Sequence, residues 1–321
     1  MIIMYAMKLS APTKDYIWGG TKLTSEWGFV SFEDRQAEAW VLSCHRDGES
    51  FIENGENSGK SLREVLDEHP EYIGAAAKAG EGLPVLIKLI DAADDLSIQV
   101  HPGEEYAVKN ENDHGKTEAW YILDCDEGAE IIYGFKKDIS REEFENAVKT
   151  NTLSEYVNRV KVKKGDVFFI KSGTLHAICK GIMIFEVQQN SNVTYRVYDY
   201  GRLQNGKPRQ LHVEKALDVT VRTKSCVPQN GRTAVKHDGY SETRLVDCEI
   251  FNLSRLNIEE KAELEADENS FVSLVCIDGN GVLIQGDEAV TLYKGDSLFI
   301  PAGMGKFEIL GKVCVLRTKI S

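Results

Sequence analysis

The sequence predicts a mainly β chain: two jelly-roll β domains, with a few helices inserted in the N-terminal one. Three observations carry this. Short alternating or wholly apolar runs, bounded by Gly, Pro, Asn and Asp, recur along the chain, as strands of a sandwich or barrel do. Only two stretches, 61–74 and 140–157, combine helical periodicity with a capping box. One unit also occurs twice. Lys164-Gly165-Asp166 precedes an apolar run, a turn at Gly173 and then His176-Ala177-Ile178; Lys294-Gly295-Asp296 precedes another apolar run, a turn at Gly303 and then Lys306-Phe307-Glu308-Ile309. A tight Gly-Asp turn opening a hairpin is a recurrent jelly-roll unit, and its repetition implies two related domains. Residues 225–240, rich in Pro, Gly, Asn and charge, read as the linker. The expected domains are therefore 1–235, which binds a metal, and 236–321, which does not. Three residues past its turn glycine the first copy carries His176, and the second carries Lys306.

Taken in order, Trp18-Gly19-Gly20 marks a turn and 37–43 a strand. Ser61 caps the first helix with Glu64 as its partner, and Leu62, Val65 and Leu66 form its apolar side. Residues 83–90 are apolar except for Lys88, the pattern of a strand buried on both faces. A buried ammonium is costly unless paired, so Lys88 either snorkels to solvent or faces an anion. Residues 96–102 alternate. Leu96, Ile98 and Val100 point one way, Ser97, Gln99 and His101 the other, and Pro102 ends the run. Same-face neighbours on a strand lie roughly 6.8 Å apart, so this face offers a hydroxyl, an amide and an imidazole in a row. Strands follow at 118–123 and 129–134. Ser140 and Glu143 then open a helix over 140–157, with Phe144, Val148 and Leu153 as its apolar face. Short strands at 160–162, 167–170, 177–178 and 183–188 complete the first domain, and Arg196 sits in a further β-like run.

Composition excludes several classes. The 321 residues are 42% apolar and carry a net charge of −13, which argues against nucleic acid or an anionic membrane as partner. A local basic cluster can still hold a small anion. No run of 18 apolar residues spans a membrane, and the apolar first seven residues lack the basic region of a signal peptide. Seven cysteines without a C-x-x-C pair read as reduced thiols of a cytoplasmic protein, and a thiolate zinc site is not expected. Oligomeric state has no signature here.

Gln99, His101, Glu118 and His176 are nitrogen and oxygen donors at strand ends. Such a set suits zinc with an open position, and iron, cobalt or manganese are chemically reasonable too. His45, His69, His114 and His212 are equally available imidazoles. Arg196 is suited to an anion or a developing oxyanion, or else to an ion pair with Asp199 or Glu186. Lys207-Pro208-Arg209 lies in a loop that reads as plainly solvated, the alternative being that it meets a phosphate.

Together, S-I-Q-V-H-P, K-T-E-A-W, G-D-V-F-F-I-K-S-G-T-L-H-A-I and F-E-V-Q-Q-N-S-N-V-T-Y-R-V-Y-D-Y-G-R resemble the signature of type I mannose-6-phosphate isomerases in their short bacterial form. W-G-G, A-E-A-W and L-P-V-L-I-K-L-I fit as well. The resemblance implies a cupin fold and one zinc ion per chain, held by Gln99, His101, Glu118 and His176. It also implies Arg196 as the catalytic arginine, with Lys88, Ser97, Lys116 and Glu186 at active-site positions: Lys88, Ser97 and Lys116 are expected to hold the phosphate or a sugar hydroxyl, and Lys116, Glu186 or an activated water to act as base. The substrate it implies is a sugar phosphate: mannose 6-phosphate and fructose 6-phosphate would interconvert through a cis-enediol. Unlike the general cupin pattern, Gln99 stands where the first His of H-x-H is usual. Glu104 and Glu105, near the usual Glu spacing, are expected to be exposed. The competing readings are a metal-dependent cupin oxygenase and a non-catalytic sugar-binding cupin.

Overall fold

The computed structural model describes residues 4–30, 35–78, 80–204, 206–227 and 231–321. Met1 to residue 3 of the apolar opening, and 228–230 of the expected linker, lie outside the described residues. The architecture is mainly β. A six-stranded sheet runs in the order Val167–Ile170, Glu118–Cys125, Ile182–Gln189, Val85–Ala92, Glu38–Leu42, Thr13–Lys14. A five-stranded sheet runs Val157–Lys161, Glu130–Phe135, His176–Ile178, Ile98–Val100, Tyr195–Tyr198. Both are antiparallel.

Alternation along the strands of the six-stranded sheet explains their composition. In Val85–Ala92, the residues Val85, Ile87 and Leu89 join one core cluster, while Ile90 and Ala92 join another. In Glu118–Cys125, Ala119, Tyr121 and Leu123 join the first cluster, and Trp120 and Ile122 the second. The second cluster lies between the two sheets, because it also holds Ile131, Tyr133, Phe168 and Ile178. A strand buried on both faces has no polar face to show, hence the continuous apolar run around Lys88. The five-stranded sheet buries its other face under helices Arg141–Lys149 and Val213–Val219. Ile98, Val100, Ile132, Tyr195 and Val197 meet Phe144, Ala147, Ala216 and Leu217 there.

Both capping boxes form, Ser61 with Glu64 and Ser140 with Glu143. The expected helices are nonetheless too long. The first stops at Glu68, and Pro70 restarts it as a 3-10 turn, Pro70–Ile73. The second stops at Lys149. Asn151 takes φ +57, Thr152 N–H bonds Ala147 O at 2.9 Å, and Asn151 N–H bonds Val148 O at 3.3 Å. This is a Schellman closure with asparagine in the left-handed position, and Val157–Lys161 follows as strand. Three helices went unpredicted, one of them the single turn Lys22–Ser25, which buries only Leu23. Glu104–Glu111 buries only Ala107 and has no side-chain cap; Val213–Val219 also lacks one. Leu96 does not share the Ile98 and Val100 face: it joins the cluster between the sheets, ahead of the strand proper.

The C-terminal part is one ten-stranded sheet in which Val272–Gln285 and Gly305–Ile320 pair along most of their length. The repeated Gly-Asp turn recurs in detail. Gly165 and Gly295 have φ +89 and +96. Asp166 accepts from Lys163 N–H at 3.0 Å, and Asp296 from Tyr293 N–H at 2.8 Å, so each carboxylate closes the turn onto the residue three before it. Backbone pairing crosses residue 235. Met7–Ser10 pairs with Ser297–Ile300 on one side and Phe51–Ile52 on the other, so the first strands of the chain complete the last sheet. One core cluster likewise joins Val85, Tyr121 and Phe185 to Phe251, Phe271, Phe299 and Leu316. All seven cysteines are free thiols, and no helix among the described residues is long and apolar enough to cross a membrane.

Phe299 is fully buried and stacks on Phe271 with ring centroids 5.0 Å apart. Phe299→Ala should cost ~3–5 kcal/mol. All four tryptophans lie at or before residue 120; Trp27 touches Lys294 of the C-terminal part, so in a Trp27→Phe background the remaining fluorescence reports the N-terminal part. The shared core predicts that its urea midpoint falls with this C-terminal substitution; an unchanged midpoint would show two independent cores.

Candidate active site

Strand ends of both sheets bring His101, Glu118 and His176 together, with ligand atoms all within 4.8 Å of one another. His176 stands opposite Gln99 in the ladder, and Glu118 opposite Gln188. Each imidazole is locked from behind. His101 Nδ1–H donates to Val193 O at 2.9 Å and His176 Nδ1–H to Thr174 O at 2.9 Å. Both Nε2 lone pairs therefore point inward, each 3.4 Å from a Glu118 oxygen. Carbonyl acceptors behind metal-binding imidazoles are the usual way to fix that tautomer. Burial and the nearby Lys116 push His101 down to about 3, so it is neutral at pH 7, as a ligand must be. Burial likewise lowers His176.

Glu118 is fully buried, and neither of its oxygens accepts a hydrogen bond. Burial alone would raise its pKa. The Lys116 ammonium, 3.1 Å from Oε2, leads the groups that hold it well below the ordinary carboxylate range. A buried carboxylate that accepts no hydrogen bond, with one ammonium beside it and two neutral imidazoles turning their Nε2 lone pairs toward it, is a donor set that fits a divalent metal. Gln99 Nε2 lies 3.5 Å from His176 Nε2, while its Oε1 accepts from Ser97 Oγ at 3.3 Å. Ligation by Gln99 needs the amide turned over, oxygen inward. Among the described residues no other His, Cys, Asp or Glu group could hold a metal. His69 stacks on Tyr72, His114 pairs with Glu104, and His45 lies beside Asp47. Glu104 and Glu105 are exposed, as is Lys306.

A cavity of about 260 Å³ opens beside this cluster. Gln99 and Lys116 line it, so the sheet's polar residues face a recessed pocket. Lys88, Ser97, Glu186 and Arg196 line it as well. Lys88 neither snorkels nor stands free. Its ammonium sits 3.4 Å from Glu38 and 3.8 Å from Glu186, directly across the ladder from Glu186. Burial would discharge it, but those two carboxylates more than offset that and raise its pKa. The Trp40 and Trp120 indoles donate to Glu38 at 2.7 Å and Glu186 at 2.9 Å. Burial first, and the Glu118 charge second, push Glu186 up to about 7.

Arg196 stands at a bulge where its strand pairs with Ile98–Val100, and bulges re-aim side chains. Among the described residues it is in no ion pair and its buried Nε has no partner, while one terminal nitrogen donates to Gln210 O at 3.0 Å. Asp199, the expected structural partner, is taken by Arg202 at 2.6 Å and by Arg209 Nε at 2.7 Å. Arg209 is consequently not the solvated loop residue the sequence suggested: its side chain is only 11% exposed and lines the cavity. Tyr16, Trp18, Glu38 and His212 also line it and carried no signal on their own. Only the W-G-G and A-E-A-W matches touched two of their segments.

Comparison with known proteins agrees with this geometry. Residues 6–136 match the family description "Phosphomannose isomerase type I, catalytic domain", and residues 241–320 "Mannose-6-phosphate isomerase, cupin domain". Mannose-6-phosphate isomerase ManA of Bacillus subtilis (strain 168) is 39% identical over 303 residues, 93% of each chain. YvyI of the same strain, a putative mannose-6-phosphate isomerase, is 40% identical over 94% of this chain and 95% of its own. The crystal structure of the Bacillus subtilis mannose 6-phosphate isomerase superposes with a TM-score of 0.92 at 38% identity, covering 98% of this chain and 99% of that one. By sequence along nearly its whole length, and by fold, the chain belongs to the type I mannose-6-phosphate isomerase family, and is an isomerase built on the cupin fold.

Proposed function

We propose that this chain interconverts mannose 6-phosphate and fructose 6-phosphate through a cis-enediol, with zinc as its resident metal. The observation that carries the reading is a metal-capable triad set just behind one cavity, touched by its lining residues Lys116 and Gln99, with an arginine without a carboxylate partner in the same lining. His101 and His176 would hold the ion through Nε2 and Glu118 through its carboxylate, with Gln99 joining once its amide is turned. A hard-to-borderline donor set without thiolate suits zinc. When bound there, the ion supplies a Lewis acid that polarises the sugar's carbonyl.

The chain's own groups do the rest. From fructose 6-phosphate, one C1 proton must leave. Its electron pair forms the C1–C2 double bond, and negative charge gathers on the C2 oxygen. Arg196, with two N–H corners unengaged by acids, stabilises that charge. Glu186, poised near 7 in the same cavity, takes the C1 proton and returns it at C2. Hydroxyl protons exchange between O1 and O2, closing the balance. Lys116 is the alternative proton carrier: it lines the cavity and touches the triad. Lys88 orders the two carboxylates beside the sugar, and Ser97 offers a hydroxyl partner from the floor.

Three outcomes test this. Dialysis against a strong chelator should abolish turnover, and zinc should restore it; full activity in metal-free protein would overturn the metal role. Arg196→Ala should retain metal yet lose ~10²–10³ in kcat. Glu186→Gln should lose ~10²–10⁴ in kcat, together with deuterium uptake from solvent at C1. Should that uptake survive in Glu186→Gln and vanish in Lys116→Met, the base is Lys116.

A further inference from the structure

The cavity's charges are unequally shared between its walls. On the six-stranded sheet, Lys88 stands between Glu38 and Glu186, one cation to two acids. At the floor, Lys116 is engaged by Glu118 at 3.1 Å and by His101 at 3.2 Å. Neither lysine is available to a dianion, and the acids beside Lys88 would repel one. The opposite balance holds along residues 196–209. There the guanidiniums of Arg196, Arg202 and Arg209 gather near Asp199, which pairs with Arg202 and Arg209 and not with Arg196. Arg202 turns away to Asp94 and the Asp95 carbonyl and does not line the cavity. Arg196 and Arg209 do line it. They are close enough that, after burial itself, the Arg209 charge is the main influence lowering Arg196.

Arg209 is built rather than draped. Asp199 grips it through Oδ2 at Nε, 2.7 Å, and through Oδ1 at one terminal nitrogen. This side-on grip uses two of the three nitrogens of the fork. The third, Nη1, has no hydrogen-bond partner among the described residues, and a planar fork so held is pre-organised for an anion. We propose that Arg209, positioned by Asp199, binds the phosphate of the substrate and makes the enzyme select phosphorylated over free sugars, leaving Arg196 beside it for the reacting oxygens. This rests on the isomerase reading above and adds the orientation of the sugar: phosphate toward the arginine wall, C1 and C2 toward the triad and Glu186. Asp199 is a positioning residue, acting only through Arg209.

Arg209→Ala leaves Asp199 paired with Arg202, so no buried charge is orphaned and the fold should persist. Loss of a charged hydrogen bond of this kind is worth roughly 10–100-fold. In metal-loaded protein, KM for fructose 6-phosphate and the inhibition constant of inorganic phosphate should both rise by that factor. The kcat/KM ratio of mannose 6-phosphate to mannose should fall by the same factor. Arg209→Lys should recover part of the loss, and Asp199→Asn should move KM more than kcat. If Arg209→Ala does not fold, Arg209→Gln and Arg209→Lys carry the same comparison. KM and phosphate inhibition within threefold of the parent would overturn the proposal, as would an equal loss on phosphorylated and free sugar. Calorimetric titration with inorganic phosphate separates the two readings. A parent protein that turns over neither sugar sinks the isomerase assignment, while equal phosphate affinity in parent and Arg209→Ala sinks this one.

Discussion

The structure turns on one buried negative charge. Glu118 lies in a fully enclosed position where an isolated carboxylate would be several kcal/mol too costly. Two imidazoles face it, but both are neutral, locked by carbonyls behind them. Among the described residues, Lys116 is the formal cation in contact with it. Its neighbours in sequence follow from that requirement. The strand ends at 101, 118 and 176 must converge, and the Lys-Thr-Glu segment must deliver acid and ammonium to the same side. A divalent ion at the triad relieves the same deficit, which is why stability and metal binding are coupled in such a site.

Around that charge the strands of the larger sheet do two jobs at a period of two residues. One face is aliphatic and aromatic and packs on the C-terminal part. The other changes character along its length, from Ile90, Trp120 and Ile184 to Lys88, Glu118 and Glu186. Ion pairing stands in for apolar packing exactly where the cavity opens. The opposing sheet contributes Gln99 and Arg196 from adjacent strands in register. Two walls of opposite balance result, one dominated by Glu38 and Glu186, the other by Arg196 and Arg209. A substrate with a dianion at one end and an oxidisable carbon pair at the other has one sensible orientation between them.

The C-terminal part keeps the turn chemistry of the first repeat but not its donors. Asp166 and Asp296 close the same turn, whereas Lys306 is exposed and pairs with Glu265 in the ladder rather than facing a triad. Its contribution is packing. Phe251, Phe271, Phe299 and Leu316 back the sheet that carries Glu118, and Met7–Ser10 completes its ladder from the other end of the chain. The rigidity of the site therefore depends on a part that carries none of its chemistry.

Local periodicity and capping chemistry are properties of neighbouring residues, and those were legible in the sequence alone. The strands around Lys88, Gln99, Glu118 and Glu186, the two capping boxes, the repeated turn and the motif set naming the triad all belong to this class. Helix lengths were less legible, because termination at Asn151 depends on a left-handed residue that periodicity does not reveal. The helix Glu104–Glu111 was invisible for a related reason: with one buried residue it has no apolar stripe to read. What only the tertiary structure decided was the partner of each charge. Lys88 found carboxylates 50 residues before it and 98 after it in the chain, and Asp199 chose Arg202 and Arg209, so that Arg196 was left to the cavity. Electrostatic partners are set by distance in space, and a strand's sequence states which face a side chain occupies but not what stands across from it.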